Sequence, residues 1–396
     1  MKKILIINFS DLSKAPRLLR QITALKDNYE IYTAGFKETE FNGIKHFNTK
    51  LLHKKPFYWS YLPFFRKAFS LFFIIYNKFR FLYKGFYYKK NYWNKNIINI
   101  YNILKIYSFD IIIAHHWDTL PLAVKLAKKN NSKLIFNAHD YYERQFENNI
   151  EWTKKQQGYV QHIMKKNVPK FDLIFSAWTK IHIDYKKRYN VQSVIINNAA
   201  PYYNLEPKYL TNKSQKIRLI HHGIANSNRK IELMIKLMDL LDERFYLDMI
   251  LLKGGNESYY NYLIDLINKN KRINLVKPVK VNEIPILLNN YDIGIFLLPP
   301  TGINPKYTLP NKLFEFIQGR LACIVSPNIE MKNIVKKYDV GWVSNDFTPE
   351  SMAKILNNTN IEEINIKKSN SHKYAYELSA ERNFKLINQS VKLLTN

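Results

Sequence analysis

Cysteine, acidic residues and long apolar runs are all scarce in this chain, and each shortage excludes something. Cys323 is the single cysteine among 396 residues. That excludes an intrachain disulfide and a cysteine-based zinc cluster, and it suits a reducing compartment. Asp and Glu number 32 against 61 Lys and Arg, giving a formal net charge of +29 at pH 7. A field of that sign attracts anions: nucleic acid, nucleotides or acidic lipids. Part of the excess accompanies the abundance of Lys, Asn, Ile, Tyr and Phe that AT-rich coding produces. No segment reaches the roughly 20 apolar residues needed to cross a bilayer. Behind Met1-Lys2-Lys3 the run Ile4-Leu5-Ile6-Ile7 stops at Asn8, short of the ~7–15 residues of a secretory h-region. It reads as a first β-strand, and no signal peptide is expected. No glycine precedes Gly35, so the loop after that strand is not a Gly-rich dinucleotide turn.

What is present is an α/β pattern that runs twice. The length suggests two or three domains, and a hydrophobic share of 46% is enough for real cores. In the first half, Ile4–Ile7, Glu30–Thr33, Phe109–Ala114, Lys133–Phe136, Phe171–Ala177 and Val194–Ile196 read as strands. Most are continuous apolar runs, as in parallel sheets buried on both faces. Helical stretches are expected between them, among them Arg17–Lys26 and Trp178–Tyr189. The pattern restarts at Ile217–Ile220 and continues through Phe245–Leu252, Ile273–Val276, Asp292–Leu298 and Ala322–Val325. A short helix is expected over Val281–Tyr291, and a helix from Pro349. The polar, Pro-containing stretch from Asn197 to Ser214 is the best boundary. The expected domains are 1–198 and 199–378, with a C-terminal helix over 379–396.

Residues 51–96 contain no Asp or Glu, yet hold Lys54, Lys55, Arg66, Lys67, Lys78, Arg80, Lys84, Lys89, Lys90 and Lys95. At 100° per residue, Phe65, Phe69, Phe72, Tyr76, Phe79, Tyr83 and Phe86 form one stripe. A basic amphipathic helix with an aromatic face suits an anionic membrane surface. The same stripe would also pack into a core, or stack the bases of a single strand. The missing acids favour the membrane, and nucleic acid is not the expected partner.

The most informative stretch is Leu309-Pro310-Asn311-Lys312-Leu313-Phe314-Glu315-Phe316-Ile317-Gln318-Gly319. It follows a strand and a turn-rich loop. Pro310 is suited to a first helical position, and Gly319 to a stop. Glu315 then lies one turn into a short helix beside a strand end, where open α/β sheets bind ligands. The ordinary alternative is a capped helix whose Glu complements the helix dipole. Elsewhere, successive strands end in His115-His116-Trp117-Asp118 and in Asn137-Ala138-His139-Asp140-Tyr141-Tyr142-Glu143. A metal site is conceivable from these residues, but no tight ligand spacing occurs. No carboxylate pair marks a glycosidase either.

Pro-Asn-Lys-Leu-Phe-Glu-Phe, with a glycine and a strand behind it, resembles the donor-site motif of GT-B glycosyltransferases, specifically the large retaining glycosyltransferase family 4. Asn137-Ala138-His139-Asp140-Tyr141 is similar to the family's Asp-Ala-His-Glu-Tyr. His221-His222-Gly223, with Arg229-Lys230 behind it, resembles its strand–Gly–loop–Arg element, and Asn328-Ile329-Glu330 and Gly341-Trp342-Val343 match its late strand pattern. The resemblance covers nearly the whole chain and is weakest over 40–105. It implies two facing Rossmann-like domains with parallel sheets, and a C-terminal helix returning to the N-domain. It also implies transfer of a sugar from a nucleotide-sugar to a hydroxyl, with no cofactor and no essential metal. On the donor side it assigns Glu315 to the ribose. Leu309, Pro310, Asn311, Lys312 and Gly223 border the sugar and phosphates, Arg229 carries the diphosphate, and Lys253 is a second cation. Lys253-Gly254-Gly255 replaces the family's Gly-x-Gly, and Tyr307 stands where many relatives have a second Glu. On the acceptor side it points to Arg17, Asp118, Asp140 and Glu143, with His139 against the transferred sugar or the acceptor hydroxyl. Arg17 taken alone reads as a solvated first-turn residue. His139 taken alone reads as a hydrogen-bonded structural histidine, and Arg229-Lys230 as a surface basic pair.

The expected protein is a cytoplasmic enzyme, peripheral on the inner face of the membrane, that extends a glycan or lipid-linked acceptor of a surface polysaccharide. Two alternatives stand beside it: a GT-B nucleotide-sugar 2-epimerase, and a basic membrane-peripheral or nucleic-acid-binding scaffold without catalysis.

Overall fold

The computed structural model describes residues 1–39, 41–49, 88, 91–212 and 216–395. Apart from Tyr88 and 91–96, the basic aromatic segment 51–96 lies outside the described residues. Two compact units emerge. One holds Met1–Ile195 together with the chain from Ile387 onward; the other is the continuous piece Ile196–Leu386.

The first unit is built on a seven-stranded parallel sheet in the order β3-β2-β1-β4-β5-β6-β7. The strands are β1 (Lys3–Ile7), β2 (Glu30–Gly35), β3 (Lys45–Asn48), β4 (Ile111–His115), β5 (Lys133–Ala138), β6 (Leu173–Ser176) and β7 (Gln192–Ile195). Its centre is dry because β1 and β4 are apolar on both faces: Ile4 to Ile7 and Ile111 to Ala114 have no exposed surface. The helices α1 (Pro16–Leu25), α2 (Lys95–Leu104), α3 (Leu120–Asn130), α4 (Gly158–Asn167) and α5 (Thr179–Tyr189) connect the strands. Pro16 opens α1 where a missing N–H costs nothing.

The second unit carries six parallel strands ordered β10-β9-β8-β11-β12-β13. These are β8 (Ile217–Ile224), β9 (Phe245–Leu252), β10 (Ile273–Leu275), β11 (Ile293–Phe296), β12 (Ala322–Val325) and β13 (Gly341–Val343). Around them lie α6 (Glu232–Leu240), α7 (Glu257–Asn268), α8 (Asn311–Gln318), α9 (Ile329–Tyr338), α10 (Pro349–Asn357) and α11 (Ile361–Tyr374). The last helix, α12 (Ala380–Thr395), begins in this unit, where Ala380 N–H donates to Ala200 O. It ends in the first unit, where Asn388 Nδ2 donates to Ala24 O. Among the described residues, no helix is long and apolar enough to cross a membrane.

Several local expectations need correction. Asn328-Ile329-Glu330 is not a strand: Asn328 precedes α9, which buries Met331, Val335 and Tyr338 at helical spacing. The helix expected over Val281–Tyr291 is shorter, a 3-10 turn at Val281–Glu283 and a helix at Ile284–Leu288 begun by Pro285. Pro310 is the cap residue of α8, not its first helical residue. Gly319 keeps right-handed backbone angles and the turn out of α8 is made by Arg320 at φ 62°. Gly319 is needed instead for space, since a β-carbon there would sit 2.7 Å from Leu288.

Arg320 also explains how the irregular stretch after β7 is held. It is fully buried. Its guanidinium donates to the carbonyls of Tyr203, Leu205, Ile317 and Gln318. Buried main-chain oxygens without such donors would be costly.

Candidate functional site

The donor-side residues meet where β8 gives way to its loop and α8 begins. Gly223, the penultimate residue of β8, has φ +145°, a region that favours glycine. A β-carbon at that point would lie 2.9 Å from Lys312 Nζ and 3.6 Å from Arg229 Nη1. Two cationic head groups from separate elements therefore converge on one stretch of open backbone. Arg229 arrives on the 3-10 turn Ser227–Arg229, behind the cap of Asn226. Lys312 arrives on the first turn of α8. Its position is set by close packing, because a β-carbon on Gly294 of β11 would be 2.3 Å from the Phe316 ring.

Lys312 is buried, and its amine lies 4.3 Å from the centre of the Phe296 ring. Burial first, and the Arg229 charge second, push that amine down to about 7, with Glu315 opposing. Burial also lowers the Arg229 guanidinium. Glu315, one turn further along α8, has its carboxylate 3.3 Å from His222 Nε2. Burial and then Lys312 push that imidazole down to about 3. It is neutral at pH 7, so the contact is not an ion pair. At pH 7 the site thus holds one guanidinium and a half-protonated amine against one carboxylate, in surroundings that solvate charge poorly. An anionic ligand would draw the amine to its charged form and offset the repulsion between it and Arg229.

The other donor-side residues fall around this centre. Leu309 is buried, and Pro310 and Asn311 lead into α8 half-buried. Tyr307 ends the short helix Ile303–Tyr307. Lys253 lies in the loop after β9, largely exposed and 3.5 Å from Glu257, the first residue of α7. Lys312 is the second cation that meets Arg229 at Gly223. Three residues were not singled out from sequence. His222 touches Glu315. Phe296 faces the Lys312 amine. Asn328 donates to the carbonyls of Leu298 and Pro305 and so pins the loop before α8. His222 carried a signal, its place beside Gly223 in the motif that resembles the strand–Gly–loop–Arg element; the other two carried none.

In the first unit, β4 and β5 deliver their histidines to one place. His115 Nδ1 lies 3.0 Å from His139 Nε2, and His115 Nε2 lies 2.8 Å from Gln21 Oε1 of α1. The His116 ring stacks on His139 at 4.7 Å and 17°. Its Nδ1 accepts from the Tyr142 hydroxyl, which itself accepts the His139 N–H. Burial lowers all three imidazoles, His116 to about 4. Each is neutral near pH 7. His116 holds this position at φ 64°, costing of order 1–3 kcal/mol for a residue with a β-carbon.

Arg17 corrects the solvated reading. It is 5% exposed, and burial, then Arg20, push its guanidinium down to about 9 against the pull of Tyr142 and Asp140. Burial pushes the Asp140 carboxyl up to about 6, although it accepts from Gln145 Nε2 at 2.8 Å. Asp118 is pushed up to about 7 by the same cause. Its Oδ1 is buried without a hydrogen-bond partner among the described residues. Glu143 is turned inward. Tyr185, Tyr189 and Arg188 take its two oxygens, which makes it part of the scaffold rather than of an acceptor surface. Among the described residues, no group of three His, Cys, Asp or Glu side chains is set to hold a metal ion.

No protein-family model matches the chain, and no curated protein matches it in sequence. Solved structures match along almost its whole length. HepE of Anabaena, in complex with UDP and glucose, superposes with a TM-score of 0.68 at 12% identity, covering 99% of this chain and 100% of that one. A glycosyltransferase from Rickettsia africae gives 0.64 at 14% identity, covering 99% and 97%. WaaG, a glycosyltransferase involved in lipopolysaccharide biosynthesis, gives 0.60 at 11%, covering 97% and 99%. The fold is therefore GT-B: two Rossmann-like units with parallel sheets and a C-terminal helix that leaves the second unit for the first. At these identities the likeness is one of fold.

Proposed function

We propose that this chain is a retaining, nucleotide-sugar-dependent glycosyltransferase. It moves a sugar to a hydroxyl of a glycan, carried on a lipid, during synthesis of a surface polysaccharide. The observation that carries this reading is the meeting of Arg229 and Lys312 at Gly223, with Glu315 one turn beyond. A departing nucleoside diphosphate needs two negative charges neutralised, and preorganised cations in a poorly solvated site do that without a metal. Glu315 is an acceptor for ribose hydroxyls. On the other unit, His139 is a neutral imidazole suited to hydrogen-bond a hydroxyl of the sugar or of the acceptor. Supporting this reading, HepE was solved with UDP-glucose and WaaG serves lipopolysaccharide synthesis. Retention follows the sequence resemblance to glycosyltransferase family 4.

Calorimetry with nucleoside diphosphates tests the placement. Glu315→Gln should weaken binding by about tenfold, the loss of one charge-assisted hydrogen bond. His139→Ala should leave binding intact and depress transfer. Normal donor binding by both variants would mean that the site lies elsewhere. A product that forms only when acceptor is supplied separates transfer from 2-epimerisation.

The peripheral location on the inner face of the membrane rests on the acid-free, basic aromatic segment 51–96. Liposome flotation compares the parent with a variant in which Lys54, Lys55, Arg66 and Lys67 become Glu. The variant should lose binding to anionic vesicles, and equal flotation would remove this part of the reading.

A further inference from the structure

We propose that Gln21 and His115 are positioning residues that fix the proton of His139 on Nε2, leaving its Nδ1 as the bare acceptor that meets a sugar hydroxyl. This inference rests on the reading of His139 given above.

The chain of contacts starts on α1. Gln21 is 1% exposed and His115 is fully buried, so neither can exchange its partner for water. Gln21 Oε1 is an acceptor 2.8 Å from His115 Nε2, which places the His115 proton on Nε2. In a neutral imidazole the other nitrogen must then be bare. His115 Nδ1 faces His139 Nε2 at 3.0 Å, so that second contact needs its proton on His139 Nε2. His139 Nδ1 is left with a lone pair and has no hydrogen-bond partner among the described residues. Asn137 Nδ2 lies 3.2 Å from both nitrogens of the His115 ring. Being equidistant, it points squarely at neither and sets no direction.

The neighbours keep the ring in place without choosing its proton. His116 covers one face of His139, and Tyr142 is bonded to the His139 main chain rather than to its ring. The charge requirement is met because all three imidazoles are held neutral by burial. A buried amide on a helix of the first strand–helix unit therefore acts through one histidine on the next. Turning the Gln21 amide end for end would reverse every step of the chain and put the proton on His139 Nδ1.

Nitrogen-15 spectra of the histidine side chains, recorded on the full-length protein without ligand, read this directly. The parent protein should show His139 with Nε2 protonated and Nδ1 bare. Gln21→Met keeps the side-chain length and removes the acceptor, so it should convert His139 to a mixture of both tautomers. It should also lower kcat several-fold while leaving KM for the nucleotide-sugar within about twofold. Gln21→Glu restores an oxygen at the same place and should restore most of the parent spectrum. A parent His139 protonated on Nδ1 would overturn the proposal, as would a Gln21→Met spectrum identical to the parent. These readings need no turnover. Loss of the glycosyltransferase reading would show separately, as absence of nucleoside diphosphate binding by the parent protein.

Discussion

Lys312 is the residue whose cost and use can be separated. Its amine sits at about 7 in the folded protein against 10.5 for an ordinary lysine. The unfolded chain therefore holds this proton more tightly. The penalty is complete below pH ~7 and fades as pH climbs from there to the unfolded value. Lys312→Met conserves volume and removes the charge. It should raise the melting temperature of the ligand-free protein at pH 7 by about 2–4 °C, while weakening diphosphate binding at least tenfold. An unchanged melting temperature would mean that the amine is solvated after all. A bound diphosphate reverses the shift, so binding above pH ~7 must take up a proton. The parent affinity should fall between pH 7 and pH 9, and in Lys312→Met that slope should flatten. His116 offers a second test of the same kind. At φ 64° a glycine is relaxed and an alanine is not, so His116→Gly should be more stable than His116→Ala by about 1 kcal/mol in denaturant titrations.

At the scale of elements, α8 transmits strand packing into ligand binding. Gly294 leaves room for Phe316, and a methyl group there must move the ring and with it the helix that carries Lys312 and Glu315. Overpacking of this sort costs about 1–3 kcal/mol. Gly294→Ala should therefore lose nucleotide affinity as well as stability. Unchanged affinity would show that α8 is not held by this contact. Most strands of both sheets were legible because buried parallel strands are continuous apolar runs, and the helix of the Pro-Asn-Lys motif was legible from its apolar spacing between Pro310 and Gly319. Other elements were not. β3 is only Lys45–Asn48, and Phe47 is its one apolar residue. α11 buries Lys368 against Asp292 at 2.9 Å, so its inward face does not look apolar. Gly223 and Arg229 could be named from sequence. Their meeting with Lys312 could not, because it depends on how far α8 reaches across the end of β8.

At the scale of the whole molecule, the two units differ in how the chain supplies them. The second is one continuous piece; the first is completed by the final turns of α12. Ile387 and Val391 are buried there, and Asn388 bonds to Ala24. Deleting the chain from Ile387 onward should lower the unfolding temperature of the first unit. Nucleoside diphosphate binding by Arg229, Lys312 and Glu315 should survive, since all three belong to the second unit. Loss of both together would show that the units do not unfold separately.

The path of α12 also orders events in time. A chain leaving the ribosome presents the seven strands of the first sheet long before the residues of α12 that bond to α1. The second unit has every residue it needs by Leu386, whereas the first waits for the ten that follow. The half made first is finished last. During that interval the surface of α1 destined for α12 stays open to solvent, or to whatever attends a nascent chain.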